Sequence, residues 1–251
     1  GSCKIVPPDE NFLPDMEVFR SSINTNTRGV LINSPNNPSG VVYGDKTLSE
    51  MCEIIKEKEV EFGTEIYLVS DEPYRKIIFD NLEYTHIFNY HERSIVATSH
   101  SKDLALPGER IGYIAVNPDC SDIEELVDGL VFCNRTLGFV NAPALIQHLI
   151  AHLQDTTIDV RIYEKKRDYL YKELTNMGYS LIKPQGAFYM FPKSPIEDDV
   201  QFTEELKENR VLVVPGRGFG LPGYFRISYC MEDATIKGSL EGLEKTISKY
   251  R

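Results

Sequence analysis

No stretch of this sequence approaches the roughly 18 consecutive apolar residues that a membrane span needs, and its N-terminus lacks the basic-then-apolar order of a secretion signal. The expectation is a soluble, cytoplasmic protein. Positive charge is scarce too: the formal net charge is −11, which argues against nucleic acid or an anionic membrane as partner. The five cysteines, Cys3, Cys52, Cys120, Cys133 and Cys230, are odd in number, widely spaced and without a CxxC pair; they read as reduced, mostly buried thiols. Repeats and low-complexity segments are absent, and spacing picks out no Ser-His-Asp or Cys-His set. Two tempting motifs fail on context. Gly218-Phe-Gly-Leu-Pro-Gly223 matches G-x-G-x-x-G, yet it carries Pro222 and leads into a strand, where a dinucleotide fingerprint needs a helix. His148 and His152 are four apart on a helix but lack the intervening glutamate of a metalloprotease pair.

What is present is an ordinary globular composition, 41% hydrophobic and 26% charged over 251 residues, enough for one large α/β domain or two smaller ones. Lys4–Val6 is a possible short strand, and Met16, Phe19 and Ile23 fall at helical spacing. Gly29–Asn33, Glu65–Val69 and Ser94–Thr98 read as buried strands, followed by another at Ile111–Val116. Between the first two lies a helix from Asp45 or Thr47, with Thr47 and Glu50 as a capping box, ending before Gly63. Beyond Pro118 come helices at about 123–132, 142–153 and 157–177. Strands at 179–182, 187–191, 211–214 and 224–229 follow, with helices near 202–209 and 233–250. The pattern predicts a mostly parallel α/β sheet with flanking helices over residues 1–160, then a small α+β domain over 161–251.

Three strands each deliver a polar, turn-rich loop: Asn33-Ser-Pro-Asn-Asn-Pro-Ser-Gly40, Asp71-Glu-Pro-Tyr74, and Ser99-His-Ser-Lys102 running on to Arg110. In a parallel sheet these loops share one edge, where open α/β sheets bind ligands. A strand-end lysine such as Lys102 offers, once deprotonated, a nucleophilic amine for a carbonyl. Arg110 offers a fixed cation for a phosphate. Taken singly these residues have other readings: Asp71 as a strand-end cap, Tyr74 as packing, Asn37 as an Asx-turn former, Arg226 as an ion-pair partner.

Together the loops resemble the successive signature loops of fold type I pyridoxal-phosphate enzymes, and closest the class I and II aminotransferases of the aspartate and aromatic group. Pro184-Gln-Gly-Ala-Phe-Tyr189 and Phe225-Arg-Ile-Ser228 resemble that family's C-terminal motifs. The resemblance implies pyridoxal 5'-phosphate as cofactor, with Lys102 in Schiff-base linkage to it. Ser99 and Arg110 would bind its phosphate, Asp71 would pair with its pyridine nitrogen, Asn37 and Tyr74 would reach its phenolic oxygen, and Arg226 would clamp the substrate carboxylate. It implies a ping-pong exchange between amino acids and 2-oxo acids in a homodimer. A β-lyase on the same fold and a non-catalytic ligand-sensing domain of a regulator are the alternatives. Family chains begin well upstream, so the expectation is a C-terminal portion of such an enzyme, inactive alone. The absent part would carry further sheet strands, part of the phosphate cup and a ring that stacks on the cofactor.

Overall fold

The computed structural model describes residues 1–251. It divides into two compact units, one made of Gly1–Ser34, Tyr43–Lys76 and Glu83–Ile158, the other of Pro35–Val42, Ile77–Leu82 and Asp159–Arg251.

The first unit is built on strands β1 (Gly29–Asn33), β2 (Tyr67–Asp71), β3 (Ser94–Ser99) and β4 (Gly112–Val116), in the order β1-β2-β3-β4. β1, β2 and β3 run parallel, with Asn33 opposite Asp71 and Asp71 opposite Ala97. β4 runs antiparallel to β3, with Gly112 opposite Ser99, because the chain reverses through a short helix, α3 (His100–Asp103), and a 3-10 turn at Pro107–Glu109. Helix α1 (Met16–Ser22) starts at Asp15, whose side chain accepts from the Glu17 and Val18 amides. Helix α2 (Asp45–Phe62) ends at Gly63 in the left-handed conformation, φ 62°. Its Leu48, Met51, Cys52, Ile54 and Ile55 recur at helical spacing and pack with Ile32, Leu68 and Val96 of the sheet. Each such fully buried aliphatic side chain contributes about 1.5–3 kcal/mol.

The second unit holds α6 (Val160–Asn176), α7 (Asp199–Glu208), α8 (Asp233–Ile247) and a three-stranded antiparallel sheet, β5 (Tyr189–Met190), β7 (Phe225–Ser228) and β6 (Val214–Pro215), in that order. Its core is aromatic: Phe202 meets Phe225 at 5.2 Å between centroids and Tyr179 meets Phe225 at 5.8 Å. Segments 35–42 and 77–82 belong here through backbone pairing. Gly186 N donates to Gly40 O, Ala187 N to Ile77 O, and Phe79 N to Gln185 O. Gly40 must be glycine, since its φ is +73° and a Cβ would stand 2.6 Å from Pro184 Cβ.

Several expectations are corrected. Lys4–Val6 is not a strand; only Pro8 bridges to Pro14 nearby, and prolines donate nothing to a ladder. Thr47 lies inside α2, whose cap is Gly44, so no capping box forms. Residues 179–182 are not a strand: the Tyr179 ring faces the core, and the run ends toward Pro184. Val211 closes α7 by donating to Leu206 O, which delays β6 to Val214. The long helix starts at Val160 rather than Thr157, because Asp159 is its N-cap. Of the cysteines only Cys52 and Cys120 are buried.

β1 is not buried on both faces, for Leu31 is 74% exposed on this edge strand. Helices α4 (Ile123–Thr136) and α5 (Ala144–Ala151) and the connection between them expose Phe132, Leu137, Phe139 and Leu145, and α4 buries no residue at all. Apolar surface of this extent drives association. Sedimentation velocity on the purified chain should therefore show species heavier than one chain, and Phe132→Asp combined with Phe139→Asp should shift them toward monomer. A wild-type monomer would refute this. No helix is long and apolar enough to cross a membrane.

Candidate active site

The carboxyl ends of β1, β2 and β3 lie side by side in register and carry Asn33, Asp71 and Ser99. Asn33 Nδ2 donates to Asp71 O at 2.9 Å and to Asp71 Oδ2 at 3.2 Å, which orients the carboxylate. Desolvation by partial burial raises the pKa of Asp71. Tyr74, three residues on, is buried, and its ring lies 5.9 Å from Lys102 Nζ.

Lys102 is carried by α3, directly after β3. The residues around it are fixed from behind. His100 Nδ1 pairs with Asp103 Oδ2 at 3.2 Å, both side chains being buried, and Lys76 Nζ stands 3.8 Å from the same carboxylate. The Asp103 carbonyl accepts from Ile158 N and Thr157 Oγ1. This short helix is thus tied to the segment after β2 and to the end of the unit. Ala105 and Arg110 flank the 3-10 turn with φ of 54° and 50°, left-handed conformations that cost about 1–3 kcal/mol each in non-glycine residues. Arg110 is exposed and donates from Nη1 to Pro107 O at 3.0 Å. Two residues on, Gly112 packs so closely on β3 that a Cβ would meet Thr98 O at 2.3 Å. Glycine here keeps the Arg110 loop beside Ser99.

The second unit holds the other two predicted residues. Arg226 Nη1 donates to Asn37 Oδ1 at 2.8 Å, and the guanidinium lies over the rings of Tyr189 and Phe219. Asp71, Tyr74, Ser99, Lys102 and Arg110 thus share the first unit, while Asn37 and Arg226 are directly bonded in the second.

Sequence reasoning passed over three groups. Glu72 is fully buried. Burial raises its pKa, against the opposing influence of the Tyr84 and Ser70 hydroxyls and of Arg75 and His86. The signal was its place between two predicted site residues, but a glutamate in a turn motif reads as solvated. The His100–Asp103 pair was visible as i, i+3 neighbours around Lys102. Phe219 stood inside the rejected glycine motif.

The sequence matches the family described as aminotransferase class I and II over residues 1–243. It is 34% identical to the probable aspartate aminotransferase of Methanocaldococcus jannaschii, across 98% of this chain and 65% of that protein. It is 30% identical to the aspartate aminotransferase of Thermotoga maritima, across 94% of this chain and 60% of that one. Among solved structures, an amino transferase from Eubacterium rectale superposes with a TM-score of 0.94 at 44% identity, covering 98% of this chain and 62% of the other. The chain therefore spans less than two thirds of the length of these relatives.

Proposed function

The chain belongs to the class I and II aminotransferases, and from that membership we propose that the protein transfers an α-amino group from an amino acid to a 2-oxo acid by a ping-pong route, in a homodimer. The observation that supports the reading is that Asp71 ends β2 and Lys102 follows the end of the neighbouring parallel strand β3, with the lysine amine over the Tyr74 ring, in a family that works with pyridoxal phosphate.

The residues present fit that cofactor. Asp71 is a carboxylate whose charge is disfavoured by desolvation, and a protonated pyridine nitrogen is the cation it would take. Lys102 would hold the group covalently, Ser99 and Arg110 its phosphate, and Tyr74 and Asn37 its phenolic oxygen. When bound, the cofactor supplies an electron sink for the pair left at the substrate Cα. Asp71 would keep the ring nitrogen protonated. Lys102 would take the substrate Cα proton at its Nζ as general base and give it up again as general acid. Arg226 fixes the substrate by its carboxylate through a two-point, charge-assisted contact.

The reading is tested by assaying the whole protein, not the 251-residue chain alone, with amino-acid and 2-oxo-acid pairs and with a substrate carrying a β-leaving group. Amino transfer is expected, and β-elimination alone would refute it. Asp71→Asn should lower kcat by about 10²–10³-fold through the lost charge, with the fold retained because an amide oxygen can still accept from Asn33. Wild-type affinity for pyridoxal phosphate should fall as pH drops through the raised Asp71 pKa, because the protonated carboxyl no longer pairs with the ring cation. An unchanged kcat in Asp71→Asn would remove Asp71 from the mechanism.

A further inference from the structure

Arg226 has a more constrained setting than a carboxylate clamp requires. Its guanidinium carbon lies 4.4 Å from the Tyr189 ring centroid and 4.6 Å from that of Phe219. Nη1 is engaged by Asn37, and Nε is buried without a hydrogen-bond partner. All guanidinium N–H groups point outward in one plane. With two rings packed against the cation and one in-plane donor engaged, a ligand is left the remaining donors of that plane.

Tyr189 comes from β5, beside Arg226 on β7, so the sheet places it. Phe219 comes from a 3-10 turn, Gly216–Phe219, which has no strand to hold it. A buried carboxylate does so instead. Asp199, the first residue of α7, is fully buried and accepts from Arg217 N at 2.8 Å and from Arg217 Nε at 3.1 Å. Gly216 N donates to Tyr224 O at 2.7 Å, and a Cβ on Gly216 would lie 2.3 Å from Leu221 O, so the turn closes on itself only around glycine. Burying an ionised carboxylate is costly unless it is well paired. Here both of its oxygens are used to fix the turn that carries Phe219.

Building on the role proposed above for Arg226, we propose that Phe219 is a specificity-determining residue of the clamp and that Asp199 is its positioning residue. A carboxylate presents both oxygens in one plane and matches the remaining donors. A sulfonate or phosphonate directs a third oxygen out of that plane, where the apolar rings packed on the cation offer it no hydrogen-bond donor. The ring also strengthens the cation's hold on its site by a desolvated cation–π contact.

The test is ligand-observed saturation-transfer NMR on the purified chain, with pyruvate as the planar probe and methanesulfonate as the tetrahedral one. Wild type should prefer pyruvate. Phe219→Ala should weaken pyruvate binding by about 5–30-fold, the worth of the lost ring contact, and narrow the preference over methanesulfonate. Phe219→Leu, which keeps an apolar side chain in place, should fall between, and it decides the matter if the alanine variant does not melt like wild type. Asp199→Asn should act in the same direction as Phe219→Ala. Arg226→Gln separates the two levels. If it abolishes pyruvate binding while the Phe219 variants keep both affinity and preference, the clamp stands and the role of Phe219 is overturned. If it leaves pyruvate binding unchanged, or if wild type binds no pyruvate, the reading of Arg226 itself fails.

Discussion

Lys102→Ala is expected to lower amino transfer by at least about 10²–10⁴-fold, the range for removing a positioned general base, with further loss because the variant no longer holds the cofactor covalently. The expectation rests on placement. The lysine leaves the sheet immediately after β3, faces the Tyr74 ring, and is carried on a turn anchored by the buried His100–Asp103 pair. The companion measurement uses wild type: after incubation with pyridoxal phosphate and reduction by borohydride, the label should sit on a peptide containing Lys102. Label found mainly on another lysine would sink the assignment, whatever the activity of the alanine variant.

Arg226→Ala should cost about 2–5 kcal/mol of transition-state binding, roughly 30-fold to several thousand-fold in kcat/KM. Cofactor uptake should change little. An arginine on an otherwise apolar strand needs something to offset the burial of its charge. Here its partners are a neutral amide, Asn37, and two aromatic rings. None of them neutralises the guanidinium, which leaves the charge available to an anionic ligand. A variant that unfolds or loses the cofactor, under conditions where wild type does neither, would make Arg226 a structural residue instead.

The parts of the fold that could be read in advance were those set by local chemistry. Gly29–Asn33 was bounded correctly because an apolar run is followed by a dense stretch of turn formers, and α2 ends where Gly63 allows the left-handed cap. Where several residues compete for one role, reading failed. Thr47 offered a capping box, but Asp45 had already entered the helix two residues earlier. Antiparallel pairing of β4 was equally hidden, since the apolar run at Ile111–Val116 looks the same in either direction, and only the reversal through Pro107–Glu109 decides. The polar loops at the strand ends were legible because lysine, aspartate and arginine in turns stand out. Their supports were not. Asp103 earns its place through Lys76 and Thr157, and Phe219 through Asp199, partners that lie far off in sequence and leave no periodic trace.

The second unit draws on segments from widely separated parts of the chain, and this sets a timetable for its synthesis. Arg226 and Asn37 are 189 positions apart. At about 5–20 residues per second, a ribosome needs roughly 10–40 s after adding Asn37 before it adds Arg226. Through most of that interval the segment 35–42 lacks its pairing partners, and Gly40 waits for the Gln185–Gly186 amides. The amide–guanidinium contact proposed for substrate recognition therefore cannot form until β7 has been made. A nascent chain released before β7 would carry Lys102 and Asp71 but lack Arg226 altogether, so the residues proposed to hold the cofactor are made well before the one proposed to hold the substrate carboxylate.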